Sequence, residues 1–225
     1  MREDEATAYF CEVAGIASIS SPEADIDEAD GLARLKARVR AMGARFPDRE
    51  QRARRLFVEE RAASLHFERD REFAIRTAIS GFFGVPYSAV AFAGSAQLGF
   101  SVHKDRLFEP GVSDLDAACV DVGLFQRAWI DVIEATRSFT DATPFGRRPS
   151  SEIKLFKDQI LRRGMIRLDA MPRSTLSLEW NAFMERVGRD HAAMFQRVSL
   201  AIYMNEYAFC WKQDSALTTL MEPTR

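Results

Sequence analysis

Two short apolar runs limit what this chain can fold into. "SAVAFAG" at 88–94 and "LDAACVD" at 115–121 are each of strand length and bounded by turn residues. Most of the remaining sequence repeats its apolar residues at helical spacing. A few buried strands among many helices predict an α+β fold, with a sheet flanked by helices.

The helices can be placed from their punctuation. Ser21 is an N-cap candidate with Pro22 at the first helical position, and Leu32, Leu35, Val39 and Met42 follow at helical spacing up to Gly43, which suits a stop. A second helix is expected over about Asp48–Phe83, divided near His66, and Gly84 and Pro86 end it. Helices are also expected over Leu124–Arg137, over Ser150–Arg163 with Gly164 closing it, and over Leu176–Arg186. "MIRLD" at 165–169 reads as a third strand. Val198, Leu200, Ile202 and Met204 alternate with more polar residues, which is a strand signal. Tyr207, Phe209 and Trp211 continue the alternation, so a C-terminal β-hairpin or edge strand is expected. The organisation that follows is a helical N-terminal region, 1–69, and a sheet-bearing domain, 70–225, with a helical and strand extension.

Composition removes several classes of function. Cys11, Cys119 and Cys210 are far apart, as are His66, His103 and His191, so neither a disulfide framework nor a zinc site is expected. No apolar run is long enough to span a bilayer, and the acidic N-terminus lacks a leader pattern; a cytoplasmic protein with no membrane partner is the expectation. The net charge of −2 favours no particular partner. Its distribution is uneven. Residues 1–31 hold nine acidic side chains, and 34–55 hold nine basic ones against Asp48 and Glu50. The basic segment 34–55 reads as a solvated helix face, with nucleic-acid contact as its alternative.

The joint between the two strands carries the chemistry. Gly94 and Ser95 follow the first apolar run directly. Glycine lets a backbone approach a ligand, and the Ser95 hydroxyl with nearby N–H groups can bond phosphate oxygens at the start of a short helix. Asp114 and Asp116 are two apart on the second strand, so both leave one face. Such a pair suits Mg²⁺, which takes a few hard oxygens plus substrate phosphates. Two metal ions there could activate an attacking hydroxyl and stabilise a leaving pyrophosphate. P-loop, G-x-G-x-x-G and G-x-S-x-G patterns are absent.

This order of helix, strand, Gly-Ser, turn and strand with "SDLD" resembles the nucleotidyltransferase superfamily related to DNA polymerase beta, over about residues 70–170. The resemblance implies a nucleotidyltransferase-like mixed sheet. It implies that Gly94, Ser95 and Ser113 lie at the nucleotide and that Asp114 and Asp116 bind one or two Mg²⁺ ions. A third carboxylate is expected from a later strand, with Asp169 the candidate and Asp121 the runner-up. Ser95 and Asp114 are 19 positions apart, longer than in compact members of the family, and the inserted "VHKDRLFEPGV" offers Lys104 or Arg106 to a phosphate. The implied activity is transfer of a nucleoside monophosphate from ATP or another NTP to a hydroxyl of a protein, RNA or small molecule, in a setting such as a toxin–antitoxin or phage-defence module. The alternatives are an inactive relative that binds nucleotide as a sensor, antitoxin or subunit, and an RNA-binding protein. Three converging carboxylates would favour catalysis, and two would favour binding.

Overall fold

In the computed structural model, which describes residues 24–221, the two apolar runs are neighbouring strands. β1 (Val90–Ala93) pairs antiparallel with β4 (Leu115–Val120), placing Ala93 opposite Asp116. β6 (Val198–Tyr203) lies on the other side of β4 and runs parallel to it. β5 (Met165–Arg167) closes the sheet antiparallel to β6. The result is a mixed four-stranded sheet of order β1-β4-β6-β5. The inserted segment forms a separate small hairpin from β2 (Phe100–Ser101) and β3 (Arg106–Leu107). With eight α-helices among the described residues, the fold is α+β.

Side chains alternate across the strands, so each strand feeds two cores. Val90 and Phe92 of β1, Leu115, Ala117 and Cys119 of β4, and Val198, Leu200 and Ile202 of β6 point into the first core. It is covered by α3 (Arg69–Phe83), α5 (Val122–Ala135), α6 (Pro149–Arg163) and α7 (Thr175–Asp190). Local signals set these helices. The Asp121 carboxylate accepts from the N–H of Leu124 at 2.7 Å and so caps α5. Ser174 and Ser177 form a capping box for α7, and Gly84 and Gly164 end α3 and α6 in left-handed conformations.

The opposite face meets α1 (Ala24–Arg45), α2 (Arg49–Arg54), the π-helical turn Arg55–Glu59 and α8 (Glu206–Met221). Here the structure corrects the expected C-terminal hairpin. Residues 206–221 are helical, and β6 is an interior strand, not an edge. Asn205 is the reason the chain turns: its Oδ1 accepts from the N–H of Ala208 at 2.9 Å, as an N-cap does. The aromatic spacing has a helical explanation. Tyr207 and Trp211 are one turn apart and stack on the exposed face, while Phe209 points inward against Phe57 and Tyr203. Gly43 is not a stop either. It lies inside α1, where a Cβ would strike the Met221 sulfur. The Ser21–Pro22 start lies outside the described residues. The long helix is divided more widely than expected, between Glu59 and Arg69. Among the described residues, no helix is long and apolar enough to cross a membrane.

The basic segment fastens this second layer. Each of its nine cations has a partner in the chain. Arg34 pairs with Asp30, Lys36 with Asp105, Arg38 with Glu60 and Arg55 with Glu59, and Arg54 bridges Glu50 and Glu206. Arg40 donates to the Leu220 carbonyl, Arg45 lies over Phe46, and Arg49 lies over Trp211. Arg52 makes the buried contact, 2.5 Å from Asp214 of α8.

Candidate functional site

β1 runs opposite to β4 and β6, so its carboxyl end lies beside their amino ends. Gly94-Ser95, Asp114–Asp116 and Arg197–Ser199 therefore meet at one end of the sheet, around a cleft of about 1210 Å³. α4 (Gly94–Leu98) begins at the glycine. Gly94 has φ +64°, and a Cβ there would collide with the Asp116 carboxylate. Only glycine allows that approach at low cost. The Ser95 hydroxyl is half-buried at the cleft wall, with no hydrogen-bond partner among the described residues.

The carboxylates are held by groups far along the chain. Asp116 Oδ1 accepts from the Ser199 hydroxyl at 2.7 Å, since the parallel register sets Asp116 opposite Ser199. Asp114 Oδ2 accepts from the Arg197 guanidinium at 3.1 Å. Asp169 lines the same cleft from the 3-10 turn after β5, where it accepts from Arg167 at 2.5 Å. One strand, β6, separates β5 from β4. Among the described residues, no three His, Cys, Asp or Glu side chains lie close enough together to hold a metal ion. Asp121, the alternative, caps α5 beyond the other end of β4.

The remaining expected residues divide by role. Ser113 is buried, and its hydroxyl accepts from the N–H of Glu109 at 3.0 Å, so it fixes the loop before β4. Lys104 and Arg106 are exposed on the small hairpin at the rim of the cleft.

α8 brings in residues that the sequence did not single out. Its inner face carries Lys212 and Gln213 over the part of the sheet that holds Asp116 and Tyr203. Gln213 Nε2 donates to the Tyr203 hydroxyl at 3.2 Å, and burial, then the charge of Asp116, pushes that phenol upward. Burial lowers the Lys212 pKa, and the nearby Arg163 and Arg167 lower it further, while Asp116 works against them. Lys212 directly follows Tyr207, Phe209 and Trp211, whose alternation reads as strand. Ser199 lies 83 residues from Asp116, and no local pattern marks it.

The donor set suits one hard cation. Asp114 and Asp116 offer carboxylate oxygens from one end of β4, Ser199 adds a neutral hydroxyl, and Gly94 leaves backbone space beside them. Mg²⁺ is commonly held by one or two carboxylates with ligand phosphates completing its shell. Comparison with protein-family models, with curated proteins and with solved structures finds no match to this chain.

Proposed function

We propose that the cleft binds the triphosphate of ATP or another NTP together with Mg²⁺, on a nucleotidyltransferase-like scaffold, and that the chain serves as a nucleotide-binding module, a sensor or a subunit. Ser95 and the turn at Gly94 would hold phosphate oxygens, and Asp114 and Asp116 would hold the ion. Bound Mg²⁺ would neutralise phosphate charge beside the two aspartates. The observation that carries the binding role is Ser199. It occupies the position beside Asp116 on the neighbouring strand, from which a third carboxylate could reach the same ion. A neutral hydroxyl that donates to Asp116 supplies neither the charge for a second Mg²⁺ nor a base.

A second reading, transfer of a nucleoside monophosphate to a hydroxyl of a protein, RNA or small molecule, is supported by the presence of Asp169 in the same cleft. In that reading Asp169 would leave Arg167 and face the aspartate pair. An acceptor delivered by a partner, as in a toxin–antitoxin or phage-defence module, suits it. The in-chain partners of the 34–55 cations favour their role as a fastening over an RNA-binding face.

Calorimetric titration with ATP, with and without Mg²⁺, tests the first reading, and release of pyrophosphate from the same mixtures tests the second. Mg²⁺-dependent binding that is lost in Asp116→Asn, with no pyrophosphate released, is the expected result. Pyrophosphate release that requires Asp114, Asp116 and Asp169 would replace the binding reading with the transferase. If none of the common NTPs binds, both readings fail.

A further inference from the structure

Gly94-Ser95 ends the strand at one edge of the sheet, and Arg167 ends the strand at the other. Three strand spacings separate them, roughly 14 Å at 4.7–4.9 Å each. Lys212 lines the cleft from α8 and Arg167 lines it from the strand edge, while Arg163 is exposed in the last turn of α6, outside the cleft lining. Neither Lys212 nor Arg163 has a hydrogen-bond or ion-pair partner among the described residues. Arg167 gives one donor to Asp169 and has others to spare. An ammonium that is partly desolvated, repelled by two guanidiniums and left without a fixed carboxylate is poorly satisfied by its own chain. Asp116 is the opposite charge that offsets it. A cation bound at Asp116 would remove that offset and leave the cluster short of negative charge.

We infer that Lys212 and Arg167 form a second anion subsite in the cleft, which takes a phosphate monoester carried by a second ligand. This subsite is distinct from the one proposed at Gly94 and Ser95, and it lies on the side of the aspartates away from that turn. The tetrahedral dianion fits the donors available: a compact ammonium from above and a planar guanidinium from the strand edge.

Inorganic phosphate is the probe, followed by phosphorus NMR on the full chain with and without a saturating nonhydrolysable ATP analogue and Mg²⁺. Phosphate is expected to bind in both conditions. Lys212→Met keeps the apolar stem and removes the charge. It should weaken phosphate binding about tenfold or more, the scale of one hydrogen bond to a charged group, and change analogue affinity by less than about threefold. Lys212→Arg should restore most of the phosphate affinity, which separates lost charge from a lost fold. The inference is overturned if the analogue displaces phosphate one for one, if Lys212→Met weakens both ligands equally, or if it weakens neither. Phosphate binding that persists while no nucleotide binds would sink the nucleotide reading alone.

Discussion

On one face of the sheet, Phe92, Phe156, Trp180 and Phe195 are fully buried among other apolar side chains; Phe156 stacks on Trp129, and Trp180 and Phe195 meet Phe83 and Phe108 edge-on. On the other face, Ala118, Tyr203 and Phe209 share the surface with Asp116, Arg167 and Lys212. The same strands supply both, because alternate residues leave opposite sides. The first layer is held by close packing of apolar groups, which is strong but carries no chemistry. The second adds ion pairs, Arg52 with Asp214 above all, to the apolar packing that holds α8 over the sheet, and leaves a charged end open. Both faces are packed, but only one of them carries the site.

That difference can be tested by mutation, and the largest effect should come from the apolar side. Phe156→Ala should cost about 3–5 kcal/mol, the range for large aromatic truncations in cores, read from urea unfolding with nucleotide binding unchanged in the fraction that stays folded. Asp214→Ala should cost about 3 kcal/mol, because it strands Arg52 as a buried unpaired charge. Adding Arg52→Met to Asp214→Leu should recover most of that loss. A double variant as unstable as the single would mean that the pair itself, not the penalty for breaking it, holds α8. Ser95→Ala should leave the unfolding midpoint unchanged and weaken NTP binding about tenfold to a hundredfold, or roughly 1.5–3 kcal/mol. Unchanged affinity would return Gly94-Ser95 to the status of a turn.

A pH titration sharpens the contrast further. Burial, then the charge of Arg71, lowers the His191 pKa below its ordinary 6.5. A depressed histidine binds its proton more readily unfolded than folded. Its penalty is therefore absent above about 6.5, grows as pH falls from there toward the lower folded value, and is constant below that value. Thermal stability should decline over that interval, and His191→Gln should flatten the decline; an equal slope in the variant would remove His191 as a cause. The smallest change is expected for Arg38→Ala on the ion-paired layer. Its half-exposed pair with Glu60 should contribute about 0–1 kcal/mol.

Much of the apolar face was legible in the sequence, because its signals are local. Two strand-length runs, the helical spacing read over Leu124–Arg137 and the stops at Gly84 and Gly164 all rest on neighbours within a few residues. The site was legible in part for the same reason: Gly94 sits at the end of its own strand, and Asp114 and Asp116 are two apart. Ser199 and Lys212 were not legible, since sheet register and the docking of α8 decide where they lie. The error at 207–211 is instructive. A three-residue aromatic alternation fits both a strand and a helix with two exposed rings one turn apart, and the Asn205 cap, not the alternation, decides between them.

The reach of Arg52 to Asp214 has a consequence for how the protein is made. The two residues are 162 positions apart. At the usual 5–20 residues per second of a ribosome, that is a wait of about 8–32 s. During it, the inner surfaces of α1 and α2 have left the exit tunnel with no helix to rest against. One of the two interior strands of the sheet, β6, arrives almost as late. A nascent chain halted before residue 198 would lack both an interior strand of its sheet and the roof of its cleft. The second layer can therefore close only after α8 has been made.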